Sequence, residues 1–184
     1  GNVMFSLRRG DDYQNNLNSA GLRDTPLAHL VKLSRESHKI VISDLLYNEL
    51  SQAPTQYLAA PIGRNDELQM TLVLELPIAP LNSVMQTRQG LGEQGETYLV
   101  GSDSRLRSDS VRFPDLQVSR SLTDSPALNA SAISRALAGQ QGRLQEPGLD
   151  GKPALKTFVP LEFAGNHWAV IAEMDQQQAL APLR

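Results

Sequence analysis

The sequence predicts an α+β protein of two tandem, related modules. Three observations carry that expectation. First, Leu68, Met70, Leu72, Leu74 and Leu76 alternate with Gln69, Thr71, Val73 and Glu75, the period-2 pattern of a strand with one apolar face. Second, helix signals recur between the strand-like runs: Thr25-Pro26 and Ser125-Pro126 each offer a cap followed by proline at the first helical position. Third, the two halves echo one another. Pro54 and Pro61 flank a strand-like run, as do Pro153 and Pro160, and each second proline leads through a polar loop to a strand with an acidic residue near its end, Glu75 or Glu173. The strands run on to Ile78-Ala79-Pro80-Leu81 and Leu180-Ala181-Pro182-Leu183, as in a duplicated module.

In order, Asn2 to Leu7 reads as a first strand and Arg8 to Arg23 as a polar loop. A helix capped by Thr25 runs to about Ser37, with Leu27, Leu30, Val31 and Ser34 on one face. Ile40 to Ile42 is a strand core, Asp44 to Pro54 a connection, and Gln56 to Ala60 a strand stopped by Pro61. The long strand follows, with Met70, Leu72 and Leu74 expected in the core and Gln69 and Thr71 opposite. Pro77 ends it, and an amphipathic helix runs from Ile78 into Gly90. Leu91 to Ser110 reads as a helix end, a tight connection and a hairpin whose turn is Gly101-Ser102-Asp103-Ser104. Arg107 and Asp109 are expected to brace that hairpin. Phe113 to Thr123 is a loop or edge segment, and a helix from Ser125-Pro126 closes at Gly139. Leu155 to Val159, stopped by Pro160, and Trp168 to Met174 are the last strands. Asp175 should then open a helix, since its carboxylate suits a helix N-terminus.

Composition narrows the function classes. The chain has 184 residues, enough for two small cores, with 40% hydrophobic content and a net charge of -3. That balance makes no case for nucleic acid or an anionic membrane surface. No apolar stretch approaches the roughly 20 residues of a spanning helix, and no signal-peptide pattern is visible, so targeting segments are expected outside these residues. The absence of cysteine removes disulfides, thiolate metal sites and thiol nucleophiles. His29, His38 and His167 lack metal-ligand spacing, and no phosphate loop or nucleophile elbow is present. No catalytic residue, metal or cofactor is expected.

The run Gly92-Glu93-Gln94-Gly95-Glu96-Thr97-Tyr98-Leu99-Val100-Gly101, followed by Arg107-Ser108-Asp109-Ser110, resembles the opening of the membrane-proximal module of double Cache domains. Ile42-Ser43-Asp44, Ala60-Pro61-Ile62, the long alternating strand, Pro160-Leu161 and Trp168 to Asp175 follow in the family's order. Double Cache domains are extracytoplasmic sensors of bacterial chemoreceptors, histidine kinases and nucleotide cyclases, with two PAS-like modules, each a central antiparallel sheet, beside one long N-terminal helix. The resemblance implies a membrane-distal, incomplete module over residues 1 to 80 and a membrane-proximal one over 81 to 184, the latter ending in a juxtamembrane segment. The long helix is expected to be missing, since strand-like sequence begins near Gly1, leaving part of the apolar strand face less covered than usual.

The resemblance further implies a periplasmic or extracellular domain of an inner-membrane receptor that binds a small molecule in its distal module and is not an enzyme. A homodimer of the full receptor is the candidate assembly. Amino-acid-sensing members carry an Arg-x-Trp-Tyr motif in the first loop; here that loop reads Arg8-Arg9-Gly10-Asp11-Asp12-Tyr13, and the only tryptophan is Trp168. They also place an Asp for the ligand amine at about Glu75. The polar face of the long strand, roofed by the Arg8 to Arg23 loop, is the candidate site: Arg8, Tyr13, Asp44, Tyr57, Thr71 and Glu75, for a ligand bearing a carboxylate or an amine. The alternatives are a Cache domain that reads a binding protein or its own dimer state, and an extracytoplasmic hydrolase.

Overall fold

The computed structural model describes residues 2–3, 15–49, 51–64, 67–87, 90–92 and 95–180, with backbone alone for 64, 67–69 and 180. The chain divides into two compact units, Gly1–Pro77 and Ile78–Arg184.

In the first unit, helix α1 (Pro26–Ser37) opens as its sequence predicts. Thr25 caps it, its Oγ1 accepting from the Ala28 amide at 3.3 Å, and Pro26 takes the first helical position. His38 closes it in the left-handed region at φ 55°. Two short strands, β1 (Val41–Ile42) and β2 (Leu46–Asn48), pair antiparallel with one edge of β3 (Ala53–Arg64), and β4 (Glu67–Pro77) pairs with the other. The predicted first strand falls mostly outside the described residues; Asn2 bridges to Asn16.

β3 corrects the expectation that Pro61 ends a strand, because it runs straight through that residue. The backbone O of Tyr57 accepts from Ser43 N, and Tyr57 N donates to Ser43 Oγ, so odd-numbered residues of β3 aim their backbone groups away from β4. β1 pairs only as far as Ala59, so the N–H that Pro61 lacks would point past the end of the ladder. Pro160 repeats the arrangement within β7 (Pro153–Phe163), whose neighbour β6 (Gly142–Pro147) has its last pair at Phe158.

The orientation of β4 is a second correction. The segment is a strand, but Met70, Leu72 and Leu74 are 55%, 47% and 46% exposed, while Thr71, Val73 and Glu75 are half-buried. The covered face is the one carrying Thr55 and Ala59, and α1 packs there through Ala28, Leu30 and Ser34, with Ser34 Oγ donating to Ala59 O at 3.3 Å. Periodicity separates two faces of a strand without saying which one a helix takes. Here close approach selects the face where serine meets alanine, which a row of leucines would hold apart. The shortage of cover expected for part of the apolar face is seen at Met70, Leu72 and Leu74, while Leu76 is half-buried. Leu72→Lys is therefore expected to change unfolding free energy by no more than about 0.5 kcal/mol in urea titration. A loss on the order of 2 kcal/mol or more would put Leu72 in a packed core.

The second unit holds α2 (Ala79–Met85), β5 (Glu96–Gly101), α3 (Val118–Thr123), α4 (Ser131–Leu137), β6, β7, β8 (Asn166–Asp175) and α5 (Gln176–Leu180). Its sheet is antiparallel in the order β5-β8-β7-β6. α4 lays Ala132, Ile133 and Ala136 on one face, over β7 and β8, whose Phe158, Ala169 and Ile171 are buried.

Four expectations shift here. The segment from Phe113 to Thr123, expected as a loop or edge, contains helix α3. α2 ends at Met85, short of Gly90, and buries none of its side chains. Ser125-Pro126 starts no helix; α4 begins at Ser131, where the Glu146 carboxylate accepts from the amides of Ser131 at 2.8 Å and Ala132 at 3.2 Å. A cap from another strand has displaced the local one, while Gly139 closes the helix at φ 81° as expected. The hairpin after β5 turns at Gly101 to Ser104, but its second arm is a single bridge, Val100 to Leu106. Arg107 braces it by pairing with Asp103 at 3.0 Å, whereas Asp109 accepts from Val118 N at 2.7 Å and anchors α3. Asp175 Oδ1 takes the amides of Gln177 and Gln178, opening α5 where a helix was predicted.

Candidate functional site

In the first unit, the register of β3 with β4 sets Tyr57 directly opposite Glu75, on the covered face. β2 adds Asn48, paired with Ala53. Asn48 Nδ2 donates to the Tyr57 hydroxyl at 2.7 Å and approaches Glu75 Oε1 at 3.5 Å; Thr55 Oγ1 donates to the same carboxylate oxygen at 3.1 Å. A carboxylate ringed by a phenol, an alcohol and an amide, half-buried on a sheet, is a preformed acceptor cluster for a cationic or hydrogen-bond-donating group.

Of the predicted site residues, Tyr57 and Glu75 are brought together. Thr71 lies on the same face but four residues back along β4, roughly 13 Å at strand rise; its Oγ1 is buried without a hydrogen-bond partner among the described residues. Asp44 sits between β1 and β2, where its Oδ1 accepts from Leu45 N at 2.6 Å. Arg8 and Tyr13 lie outside the described residues. A groove of about 590 Å³ runs along the outer side of α1, lined by Leu17, Asn18, Arg23, His29, Lys32 and Arg35 among others. None of the four described site residues lines it.

The sequence analysis missed Asn48 and Thr55, and it missed a buried charge cluster in the second unit. Glu96 on β5 is paired directly with Glu173 on β8, and Glu173 with Lys156 on β7. Glu96 is 1% exposed and Glu173 and Lys156 are 2%. Glu173 accepts from the Tyr98 hydroxyl and from Leu149 N, each at 3.1 Å. Lys156 Nζ lies 3.7 Å from Glu173 and 3.5 Å from Glu146; Arg112 lies 3.8 Å from Glu173 and 3.7 Å from Asp150. Burial, more than anything else, raises the Glu173 pKa; the Leu149 amide, Lys156 and Tyr98 pull it down, and the charge of Glu96 pushes it up. Burial likewise raises the Tyr98 phenol well above its usual range, with Glu173 adding to the effect. The signal was in the pattern: Glu96 shares strand parity with Tyr98 and Val100, and Glu173 with Ala169 and Ile171, so both acids fall on the apolar, covered face. Among the described residues no group of three or more His, Asp or Glu could hold a metal ion.

The sequence matches no family model and no curated protein significantly. Solved structures do match. The periplasmic sensory domain of the Campylobacter jejuni chemoreceptor Tlp1 superposes with a TM-score of 0.64 at 15% identity, over 94% of this chain and 61% of that one. The fold is that of a Cache-type sensor domain. The Cache fold is shared with the extracellular domain of the putative histidine kinase mmHK1S-Z3, at a TM-score of 0.61 and 17% identity over 84% of this chain and 55% of that one. It is shared too with the ligand-binding domain of the Pseudomonas aeruginosa PAO1 amino acid chemoreceptor PctB in complex with L-Arg, at a TM-score of 0.56 and 16% identity over 86% and 62%. The chain thus spans 55% to 62% of these three structures.

Proposed function

We propose that this chain is the extracytoplasmic ligand-sensing part of a bacterial transmembrane receptor, and that it binds a small amine-bearing molecule at the Asn48–Thr55–Tyr57–Glu75 cluster. The observation that carries this reading is the convergence of one carboxylate and three neutral polar groups on the covered face of the first sheet. The Cache fold supports it, because PctB, which shares that fold, was solved with L-Arg bound. In this reading residues 1 to 80 form the membrane-distal module and 81 to 184 the proximal one. The chain acts by binding and not by catalysis. Among the described residues no helix is long and apolar enough to cross a membrane, and membrane anchoring is assigned to the longer receptor. Signal leaves through β8, which passes directly into α5. A ligand shifts such a receptor only by unequal affinity for two arrangements of that exit.

A thermal-shift panel of amino acids and polyamines tests the reading. A ligand at 100 times its Kd stabilises the native state by about 2.7 kcal/mol, so a true ligand should raise the melting temperature progressively with concentration. A panel that leaves the melt unmoved at millimolar concentrations would favour a domain that reads a binding protein or its dimer state.

A further inference from the structure

We propose that the Glu96–Glu173 pair in the second unit is a proton-binding site that makes the β5–β8 edge respond to the pH of the medium. Residues directly opposite in an antiparallel pair hold their Cβ atoms about 5 Å apart, so the two carboxyl groups occupy one small region. The oxygens of Glu173 are engaged by Tyr98 and Leu149. Glu96 Oε2 takes the Ser110 hydroxyl at 2.7 Å and the Val111 amide at 3.2 Å. Glu96 Oε1 is buried with no hydrogen-bond partner among the described residues. A polar oxygen left bare in a dry interior is costly, and the Glu173 carboxyl stands directly opposite it in the β5–β8 pairing.

The surrounding charges do not close the balance. β7 contributes Lys156, which divides its ammonium between Glu173 and Glu146 of β6. The loop after β5 contributes Arg112, divided between Glu173 and Asp150 of the β6–β7 turn. α4 adds no charge, since its buried residues are Ala132, Ile133 and Ala136 and its Arg135 is exposed. Asp175, further along β8, spends Oδ1 on the amides of α5. With Lys152 3.9 Å from Asp150, four acids share three cations, of which only Lys156 and Arg112 reach Glu173, and the two most deeply buried acids stand side by side. The side chains of Glu96, Tyr98, Lys156 and Glu173 leave almost no surface that water could touch, so a proton is the ligand that enters without rearrangement. Burial and the neighbouring Glu96 charge move Glu173 in the direction this requires.

The consequence reaches the exit of the domain. Glu173 ties the β6–β7 turn to β8 through Leu149, and α5 begins at Gln176. A carboxyl with a raised folded pKa is protonated in both states below the ordinary value of about 4.3. As pH rises from there through the folded value, the unfolded chain gives up its proton more readily, and the pair's contribution to stability falls.

The test uses the 184-residue chain and its E96Q and E173Q variants, melted across about pH 4 to pH 8 with Trp168 fluorescence as reporter. Trp168 is the only tryptophan and is buried on β8, so it reads the second unit. The wild-type midpoint should fall with rising pH more steeply than that of either variant, the curves diverging by about 3 °C or more. Carboxyl-carbon NMR of the wild type should show one glutamate titrating above the ordinary value of about 4.3, and that resonance should be missing from one variant. Parallel pH profiles, or glutamates that all titrate in the ordinary range, would overturn the proposal. If the variants fail to fold, the wild-type carboxyl titration decides alone.

Discussion

Lys156→Ala is expected to cost the second unit about 3 to 5 kcal/mol, the range for removing one partner of a buried ionic group. Lys156 is 2% exposed and is the cation that Glu146 and Glu173 share from the floor of the sheet. Glu146 also holds the N-terminus of α4, so the loss would spread from the ionic cluster to the helix over the core. Two terms add: an uncompensated carboxylate, and the cavity left by a four-carbon stem that packs as an apolar group. Lys156→Met should restore the second term only, and pairing Lys156→Ala with Glu173→Gln should recover part of the first. Urea unfolding followed by Trp168 fluorescence measures all three. A loss below about 1 kcal/mol for Lys156→Ala would mean that the cluster is hydrated and the pair behaves as a surface one.

Glu75→Ala is expected to weaken an amine ligand by about 2 to 5 kcal/mol where the pair is desolvated, which is roughly 30-fold or more in Kd. The same change should cost the fold less, about 1 kcal/mol, because Glu75 is half-buried. Tyr57→Phe removes the hydroxyl to which Asn48 donates and should weaken binding to a smaller degree. Glu173→Gln, in the other unit, should leave affinity unchanged. Isothermal titration of the four proteins with the best ligand from the panel separates these effects. Equal affinity for wild type and Glu75→Ala would move the site away from this cluster.

What could be read in advance follows a physical divide. Elements whose cause is local were legible: Thr25-Pro26 opening α1, Gly139 closing α4, Asp175 opening α5 and the alternation that makes β4 a strand. Elements set by partners distant in the chain were not. Ser125-Pro126 has the local chemistry of a helix start, yet α4 waits for the carboxylate of Glu146. Pro61 and Pro160 look like strand ends, and only the lengths of neighbouring strands show why both are tolerated. The covered face of β4 was inverted, because the deciding contact is between Ser34 and Ala59 and not within β4. Within the candidate site, Glu75 was read from the polar face of the long strand and Tyr57 as a neighbour of it, while Asn48 arrives on a strand of three residues inside what read as a plain connection. The acids of the second unit were visible in the sequence, but their pairing required the register of β5 against β8.

The central claim is that a small ligand binds on the covered face of the first sheet. Amide chemical-shift mapping tests it most directly, with the isotopically labelled chain titrated with the ligand that most raises its melting temperature. Saturable shifts should centre on Asn48, Thr55, Tyr57 and Glu75, and they should vanish in Glu75→Ala. Shifts centred on the groove along α1, or confined to residues 78 to 184, would contradict it.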